Sequence, residues 1–290
     1  MTSLKYAFFS GCVTPQKENS YELSIRKVCQ KLGIELVDLE QTNCCGFFVE
    51  PVDYQASVIF AARNLAMMDE IGLDAVTPCS ACFGHLTRVR SLLLENEELR
   101  NTVNQALRGI NKTFTGSAKI KHIVGMLLQD VGIGKIKDSV SKPLNKLRIA
   151  PHYGCHILKP SDELHLDNPE DPKLLDSLVE ATGAECVDYS EKKLCCGSSA
   201  MNVDQKLAAK IIETKLDSIK NSGADAIVTV CPACHVQFDL TAYGLLREKS
   251  SLPILHYTQL LGLAQGWGPQ EIGLYENRVS VDRLLEIVQL

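Results

Sequence analysis

The chain has 290 residues, of which 45% are hydrophobic and 22% charged, and this composition excludes a disordered or fibrous protein. Its formal net charge of −5 gives no reason to expect a nucleic acid as partner. No stretch approaches the ~18 consecutive apolar residues that a transmembrane helix needs. We therefore expect a cytoplasmic protein without direct membrane insertion.

The first half of the chain alternates predicted strands and helices. Short apolar runs predict strands, and apolar residues at helical spacing predict helices. The predicted strands are 5–10, 34–39 and 74–77, and the predicted helices are 21–32, 53–71, 82–94 and 95–109. Asp53 is the expected N-cap of its helix, because its carboxylate can accept a hydrogen bond from the first turn.

The same alternation restarts after a basic, polar stretch, residues 135–147, which is the predicted linker. The second-half strands are predicted at 148–153, 185–189 and 226–230, and the helices at 174–182, 203–221 and 279–290. This order predicts an α/β fold of two tandem pseudo-symmetric repeats, each a small, mostly parallel sheet flanked by helices. The expected repeats are 1–134 and 148–290.

Each half carries five cysteines in the same order: Gly-Cys, then Cys-Cys-Gly, then Cys-x-x-Cys. Equivalent members lie 143 (155 − 12) to 152 (234 − 82) positions apart, which indicates an internal repeat. The first set is Cys12, Cys44, Cys45, Cys79 and Cys82, and the second is Cys155, Cys195, Cys196, Cys231 and Cys234. Cys29 and Cys186 lie outside this pattern and are expected to be buried small side chains.

Every group of cysteines in the repeat follows a predicted strand. In parallel sheets, ligands collect at the carboxyl ends of the strands, so each set should converge on one sheet edge. Clustered thiolates suit iron–sulfur clusters or zinc, and iron–sulfur is the favoured interpretation. A structural zinc site in each half, or a metal-free redox dithiol, is the alternative. Zinc and ordinary cubane sites take four ligands, so the fifth cysteine is either spare or part of an unusual cluster.

The doubled cysteine pattern resembles the CCG cysteine-rich repeat and, more closely, the B subunit of heterodisulfide reductase. The resemblance covers nearly the whole chain. It includes the segments at 6–12, 61–65, 152–156, 231–235 and 253–256.

This resemblance implies an oxidoreductase subunit with two non-cubane [4Fe-4S] clusters, each held by the five cysteines of one half. It implies that a disulfide is reductively cleaved between the clusters. Electrons would come from the iron–sulfur C subunit of the complex and ultimately from the flavin of its A subunit. In methanogens the substrate is the coenzyme M–coenzyme B heterodisulfide.

The residues after the two cysteine pairs differ from the methanogenic pattern, which has a proline after the first pair and a glycine run after the second. Here Phe47 and Phe48 follow the first pair, and Ser198 and Ser199 follow the second. These differences leave open another disulfide, a persulfide or a protein-bound sulfur as the substrate. A non-catalytic electron-transfer module is a further hypothesis.

Several side chains near the cysteines are candidates for supporting roles. His156 and His235 directly follow cysteines and are candidate proton donors. Lys17 and Lys159 follow the first cysteine of each set and are candidate substrate-binding residues. His152 lies on a strand, and both a functional and a structural role are open for it. Asn64 is expected at a solvated or core-edge position.

Overall fold

The computed structural model describes residues 4–201, 203–246 and 252–289. It contains two four-stranded sheets, and all strand pairs within them are parallel. The strands are β1 (Leu4–Phe8), β2 (Ile34–Asp38), β3 (Ala75–Thr77), β4 (Ile120–His122), β5 (Arg148–His152), β6 (Glu185–Cys186), β7 (Ala226–Thr229) and β8 (Ile254–His256). The strand orders, β2-β1-β3-β4 and β6-β5-β7-β8, are the same in the two halves.

Helices connect successive strands in both halves, as a parallel sheet requires. The first-half helices are α1 (Thr14–Lys17), α2 (Asn19–Leu32), α3 (Tyr54–Ile71), α4 (Ser80–Glu95), α5 (Glu97–Arg108), α6 (Ile123–Met126) and α7 (Ile133–Ser139). The second-half helices are α8 (Ser161–Leu164), α9 (Leu174–Glu180), α10 (Gln205–Asn221), α11 (Pro232–Val236), α12 (Ala242–Leu246), α13 (Tyr257–Ala264) and α14 (Asp282–Val288). The predicted α/β fold is thereby confirmed.

Local sequence signals set several helix boundaries. The Asp53 side chain accepts a hydrogen bond from Ala56 N at 2.9 Å, and α2 ends at Gly33 in a left-handed conformation. The strand predicted over 185–189 is too long, because only Glu185 and Cys186 pair with β5. The segment predicted as a linker begins inside α7 and buries Leu144 in the core.

The two halves share their hydrophobic core, because each of two buried clusters contains residues from both halves. Helix α2 of the first half packs against α13 of the second, and α6 packs against α9. One hydrophobic cluster includes Tyr21 and Ile25 together with Leu260 and Leu263. Among the described residues, no helix combines the length and apolar character needed to cross a lipid bilayer.

Candidate functional site: two cysteine sets at facing sheet edges

The ten repeated cysteines lie at the carboxyl ends of the strands in both sheets. In the first half they follow β1 and β2, and the Cys-x-x-Cys pair begins helix α4 directly after β3. The second half repeats this arrangement after β5, β6 and β7. Most residues of β1, β3, β5 and β7 are buried, and this packing fixes the place at which the chain leaves each strand for its cysteine loop.

Within each half, the five thiols form a continuous series of sulfur contacts. In the first half the order of contacts is Cys12, Cys44, Cys45, Cys82 and Cys79. In the second it is Cys155, Cys195, Cys196, Cys234 and Cys231. The Cys155 and Cys195 sulfurs are 3.9 Å apart, and all of these cysteines are free thiols. The structure therefore brings together both of the sets that the sequence pattern predicted.

The two sets meet at the interface between the repeats. The thiols of Cys79 and Cys231 contact each other across it. The hydroxyl of the fully buried Tyr21 lies 3.3 Å from Pro78 O and 3.5 Å from Val230 O, the carbonyls just before these two cysteines. A single phenol thus holds the adjoining ends of both sets together.

The first cysteine of each adjacent pair favours the thiolate form, as does Cys231. The thiols of Cys12 and Cys45 and the Gly46 N–H donate to Cys44 and lower the pKa of its thiol to about 2. The same arrangement of Cys155, Cys196 and the Gly197 N–H lowers the pKa of Cys195. Thiolates are the form in which cysteine binds metals.

The second set surrounds a cavity of about 30 Å³. All five of its cysteines line this space, and Phe47, Phe48 and Ser80 of the first repeat close it on the other side. His152 is fully buried beside Cys196 and Cys234, and within the described part of the chain neither of its ring nitrogens has a hydrogen-bond partner. Five soft sulfur donors and an unpaired imidazole fit a sulfide-rich group, since its sulfurs would accept the missing hydrogen bond.

The two predicted proton-donor histidines lie in different surroundings. His156 lines the cavity, and its ring packs edge-on against Phe47 with 4.5 Å between the ring centroids. His235 is buried away from it: Nδ1 lies 2.9 Å from a Glu18 carboxylate oxygen, and Nε2 lies 3.2 Å from Ile254 O. Burial lowers the pKa of His235, but the adjacent Glu18 carboxylate outweighs this effect and raises the pKa.

The two predicted substrate-binding lysines lie on the surface. Lys17 is exposed and borders a separate cavity of about 270 Å³ that also contains Glu18 and His235. Lys159 is exposed near Glu170. Neither lysine is among the residues that line the cavity at the second cysteine set.

Two buried polar residues clamp the loops that carry the cysteine pairs, and neither role was predicted. Asn64 is fully buried and bonds the backbone at Asn43 and Cys44, so its predicted solvated or core-edge position is wrong. Lys215 is also fully buried, and its Nζ donates to three carbonyls just before Cys195. A sequence signal existed for Lys215, since it falls between Ile212 and Ile219 on the buried face of α10.

A family model for the CCG cysteine-rich domain matches residues 6–87 and 149–239, one segment in each of the two repeats. A relative from Methanosarcina acetivorans, named as the B subunit of a ferredoxin/F420H2-dependent CoB-CoM heterodisulfide reductase, is 37% identical and covers 99% of this chain and 98% of its own length. A Wolinella succinogenes relative, named 8-methylmenaquinol:fumarate reductase membrane anchor subunit, is 32% identical over 97% of this chain and 99% of its own length.

Among solved structures, a hypothetical protein from Helicobacter pylori superposes with a TM-score of 0.75 at 16% identity. The match covers 97% of this chain and 53% of that one, and it supports the fold alone. The curated relatives are subunits of multi-subunit reductases, and the cysteine-rich domains support iron–sulfur clusters as the group that the thiols bind. The chain belongs to the family of heterodisulfide reductase B subunits, which are oxidoreductase subunits with tandem CCG cysteine-rich domains.

Proposed function

We propose that the chain is the catalytic iron–sulfur subunit of a heterodisulfide reductase complex, with one non-cubane [4Fe-4S] cluster on each five-cysteine set. The observation that carries this proposal is the contact between Cys79 and Cys231, which makes the two sets adjoin at one interface. The reaction cleaves the S–S bond of a disulfide, consumes two electrons and two protons, and gives two thiols. When bound, the clusters would supply the two electrons in single steps.

The residues of the cleft would position the disulfide and limit its contact with water. Phe47 and Phe48 form an apolar wall opposite the second cysteine set. A disulfide is itself apolar, so this wall would bind it and keep water from the reacting sulfurs. Phe48 remains half exposed and would contact the part of the substrate that extends outside.

Protonation of the leaving thiolates needs a donor near the cleft. His156 is the better placed of the two candidates, because it lines the cavity between the repeats. His235 is bound on both ring nitrogens by Glu18 and Ile254, and this arrangement favours a positioning role. Lys17 and Lys159 remain candidates for binding an anionic part of the substrate at the rim.

The substrate we favour is the coenzyme M–coenzyme B heterodisulfide, which the name of the Methanosarcina acetivorans relative includes. The bulky Phe47 and Phe48 beside the first cysteine pair leave a different disulfide, a persulfide or a protein-bound sulfur as the alternative. The expected partners, in the cytoplasm, are the iron–sulfur C subunit, which would deliver electrons, and the A subunit, which contains flavin and further iron–sulfur centres.

A second candidate function is electron transfer without disulfide cleavage. It is favoured by the Wolinella succinogenes relative, whose name places it in a quinol:fumarate reductase. In that case the two clusters would pass electrons between partner subunits. Adding a thiol under oxidising conditions would then leave the cluster spectrum unchanged.

The proposal is tested by anaerobic purification of the complex, iron analysis and a panel of disulfides that includes the coenzyme M–coenzyme B compound. We expect about eight irons in this chain, four for each cluster. Replacing Cys155 or Cys195 by serine should remove about half of this iron and abolish disulfide reduction. Cys186→Ser is the matched control, because Cys186 is a half-buried thiol outside both sets and should keep all the iron.

Stoichiometric zinc in place of iron would contradict the proposal. Full iron content without turnover of any disulfide, together with electron transfer to another acceptor, would favour the second candidate. Turnover of another disulfide but not of the coenzyme M–coenzyme B compound would support disulfide reduction as the reaction and contradict the substrate that we favour.

A further inference from the structure

The two repeats differ in charge at one buried position. Lys215 occupies the same place relative to Cys195 and to the N-cap Asp204 that Asn64 occupies relative to Cys44 and the N-cap Asp53. Both side chains are fully buried and hold the loop before their cysteine pair. One is a cation and the other is a neutral amide.

Lys215 places a desolvated positive charge beside the second set. Its Nζ donates to Glu191 O at 2.7 Å, to Lys192 O at 3.1 Å and to Leu194 O at 2.7 Å. The Tyr189 ring lies 5.5 Å from the ammonium. The Glu191 carboxylate also acts on the ammonium electrostatically, and the described residues show no ion pair between the two groups. Burial lowers the pKa of Lys215 to about 8, so the group still carries its proton at pH 7.

Asn64 performs the same clamping without charge. Its Oδ1 accepts from Asn43 N at 3.2 Å, and its Nδ2 donates to Asn43 O at 3.3 Å and to Cys44 O at 3.2 Å. Arg63 also bonds this loop, through Gln41 O and Asn43 Oδ1, but its side chain is partly exposed. Water therefore screens the charge of Arg63, whereas the buried charge of Lys215 is not in contact with water and is screened much less.

Among the described residues near the first set, the buried histidines His85 and His122 add no positive charge, because burial lowers the pKa of both. The Nε2 of His85 lies 2.9 Å from Ser57 Oγ. Its Nδ1 lies 3.4 Å from the Glu50 carboxylate, which also pairs with the partly exposed Arg88.

A second difference between the repeats acts in the same direction. The buried His152 stands where the first repeat has Phe9, as the register of each first strand with its neighbour shows. One ring nitrogen of His152 lies within 4.8 Å of the Cys196 and Cys234 sulfurs, and neither ring nitrogen has a hydrogen-bond partner among the described residues. Even a neutral imidazole has one N–H to donate to a sulfur, whereas Phe9 has none.

We infer that Lys215, with His152, makes the cluster of the second repeat the more easily reduced of the two, so that the first electron from the partner subunit rests there. The inference depends on the proposed function, since it requires a cluster in each repeat. Reduction adds negative charge, and a buried cation or an N–H donor to sulfur stabilises the reduced form. In this step one electron leaves the partner's iron–sulfur centre, which is oxidised, and reduces the second cluster.

The test is a potentiometric titration of the iron-loaded complex, followed by electron paramagnetic resonance, with iron content measured on each sample. We expect two reduction steps in the wild type. Lys215→Met should lower the reduction equilibrium constant of the easier step at least tenfold, which is 59 mV for a one-electron couple, and leave the other step in place. Asn64→Lys should raise the reduction equilibrium constant of the harder step by a similar factor.

Two controls separate charge from structure. Lys206→Met removes an exposed lysine from the same helix and should shift neither step. Lys215→Gln keeps a donor for the clamped loop without the charge, so it should show the same lowering as Lys215→Met. If one of the two neutral variants loses iron, the shifts measured in the other neutral variant and in Asn64→Lys decide the test.

Unchanged steps in the neutral Lys215 variants at full iron content would overturn the inference while leaving the proposed function intact. An equal shift of both steps would overturn it as well, because a buried charge beside one cluster must act unequally. A wild-type chain without iron would instead refute the proposed function itself.

Discussion

At the scale of single residues, backbone conformation and the lack of space for a Cβ explain why a glycine follows each cysteine pair. Gly46 has φ +99°, and a Cβ there would lie 2.5 Å from Ser57 O. Gly197 has φ +82°, and its nearest obstacle, Ala208 O, would lie 3.3 Å away. Both positions disfavour other residues, but only at Gly46 would an added Cβ overlap the backbone of the neighbouring helix.

We predict that Gly46→Ala lowers the iron content by about half, because its clash with Ser57 displaces the first cysteine pair. Gly197→Ala should keep most of its iron. Gly33→Ala is the matched control: it has φ +70° but no atom within 4 Å of the added Cβ, so it carries only the conformational cost of about 1–2 kcal/mol. Iron analysis and melting temperatures of the three variants check this, and full iron in Gly46→Ala would contradict it.

At the scale of elements, each cysteine-pair loop runs into a long helix that starts at an aspartate. Asp53 accepts from Ala56 N at 2.9 Å at the start of α3, and Asp204 accepts from Leu207 N at 3.0 Å at the start of α10. These helices carry Asn64 and Lys215, so the caps hold the two clamps in register with their loops.

We predict that Asp53→Ala and Asp204→Ala each cost about 1 kcal/mol, because each leaves a first-turn N–H without its side-chain acceptor. For a chain of this size that corresponds to a fall in melting temperature of roughly 2–4 °C. Asp53→Asn should lie within about 1 °C of the wild type, since asparagine is an equally good cap. Equal melting temperatures for all three variants would show that tertiary packing alone fixes these helix starts.

At the scale of the whole molecule, a buried polar network ties the first repeat to the second. The Glu18 carboxylate lies 2.9 Å from His235 Nδ1 and 3.0 Å from His256 Nε2, and the His256 ring stacks on Tyr21 with 3.5 Å between centroids. Burial raises the pKa of Glu18, but the two adjacent histidines outweigh this effect and lower the pKa to about 2. Glu18 therefore helps to hold the two cysteine sets against each other.

We predict that Glu18→Gln lowers the melting temperature at pH 7 by roughly 4–8 °C, for a loss of about 2 kcal/mol. The folded pKa is depressed, so this contribution is present above the unfolded pKa near 4.5 and is lost as pH falls toward 2. The difference between wild type and variant should therefore shrink between pH 6 and pH 3. Melting curves across this range check the prediction, and a constant difference would contradict it.

The sequence was sufficient for the features that repeat or have a local cause. The doubled cysteine order predicted two similar α/β repeats and the two sets of five sulfurs. The N-cap at Asp53 was predictable because it depends on residues within one helical turn. The domain boundaries at 134 and 148 stay a prediction, since the core crosses them: Leu144, within the predicted linker, is buried with residues of both halves.

By itself, the sequence determined the chemistry available to this protein: ten soft sulfur donors at strand ends, in two equivalent groups. Only the tertiary structure decided that the groups adjoin through Cys79 and Cys231 and that His156 faces the cleft while His235 lies against Glu18. It also decided that Lys215 is buried at the position where the first repeat has the neutral Asn64. The reason is physical: donor type is a property of the residue, whereas contact, burial and electrostatic screening depend on how distant parts of the chain pack.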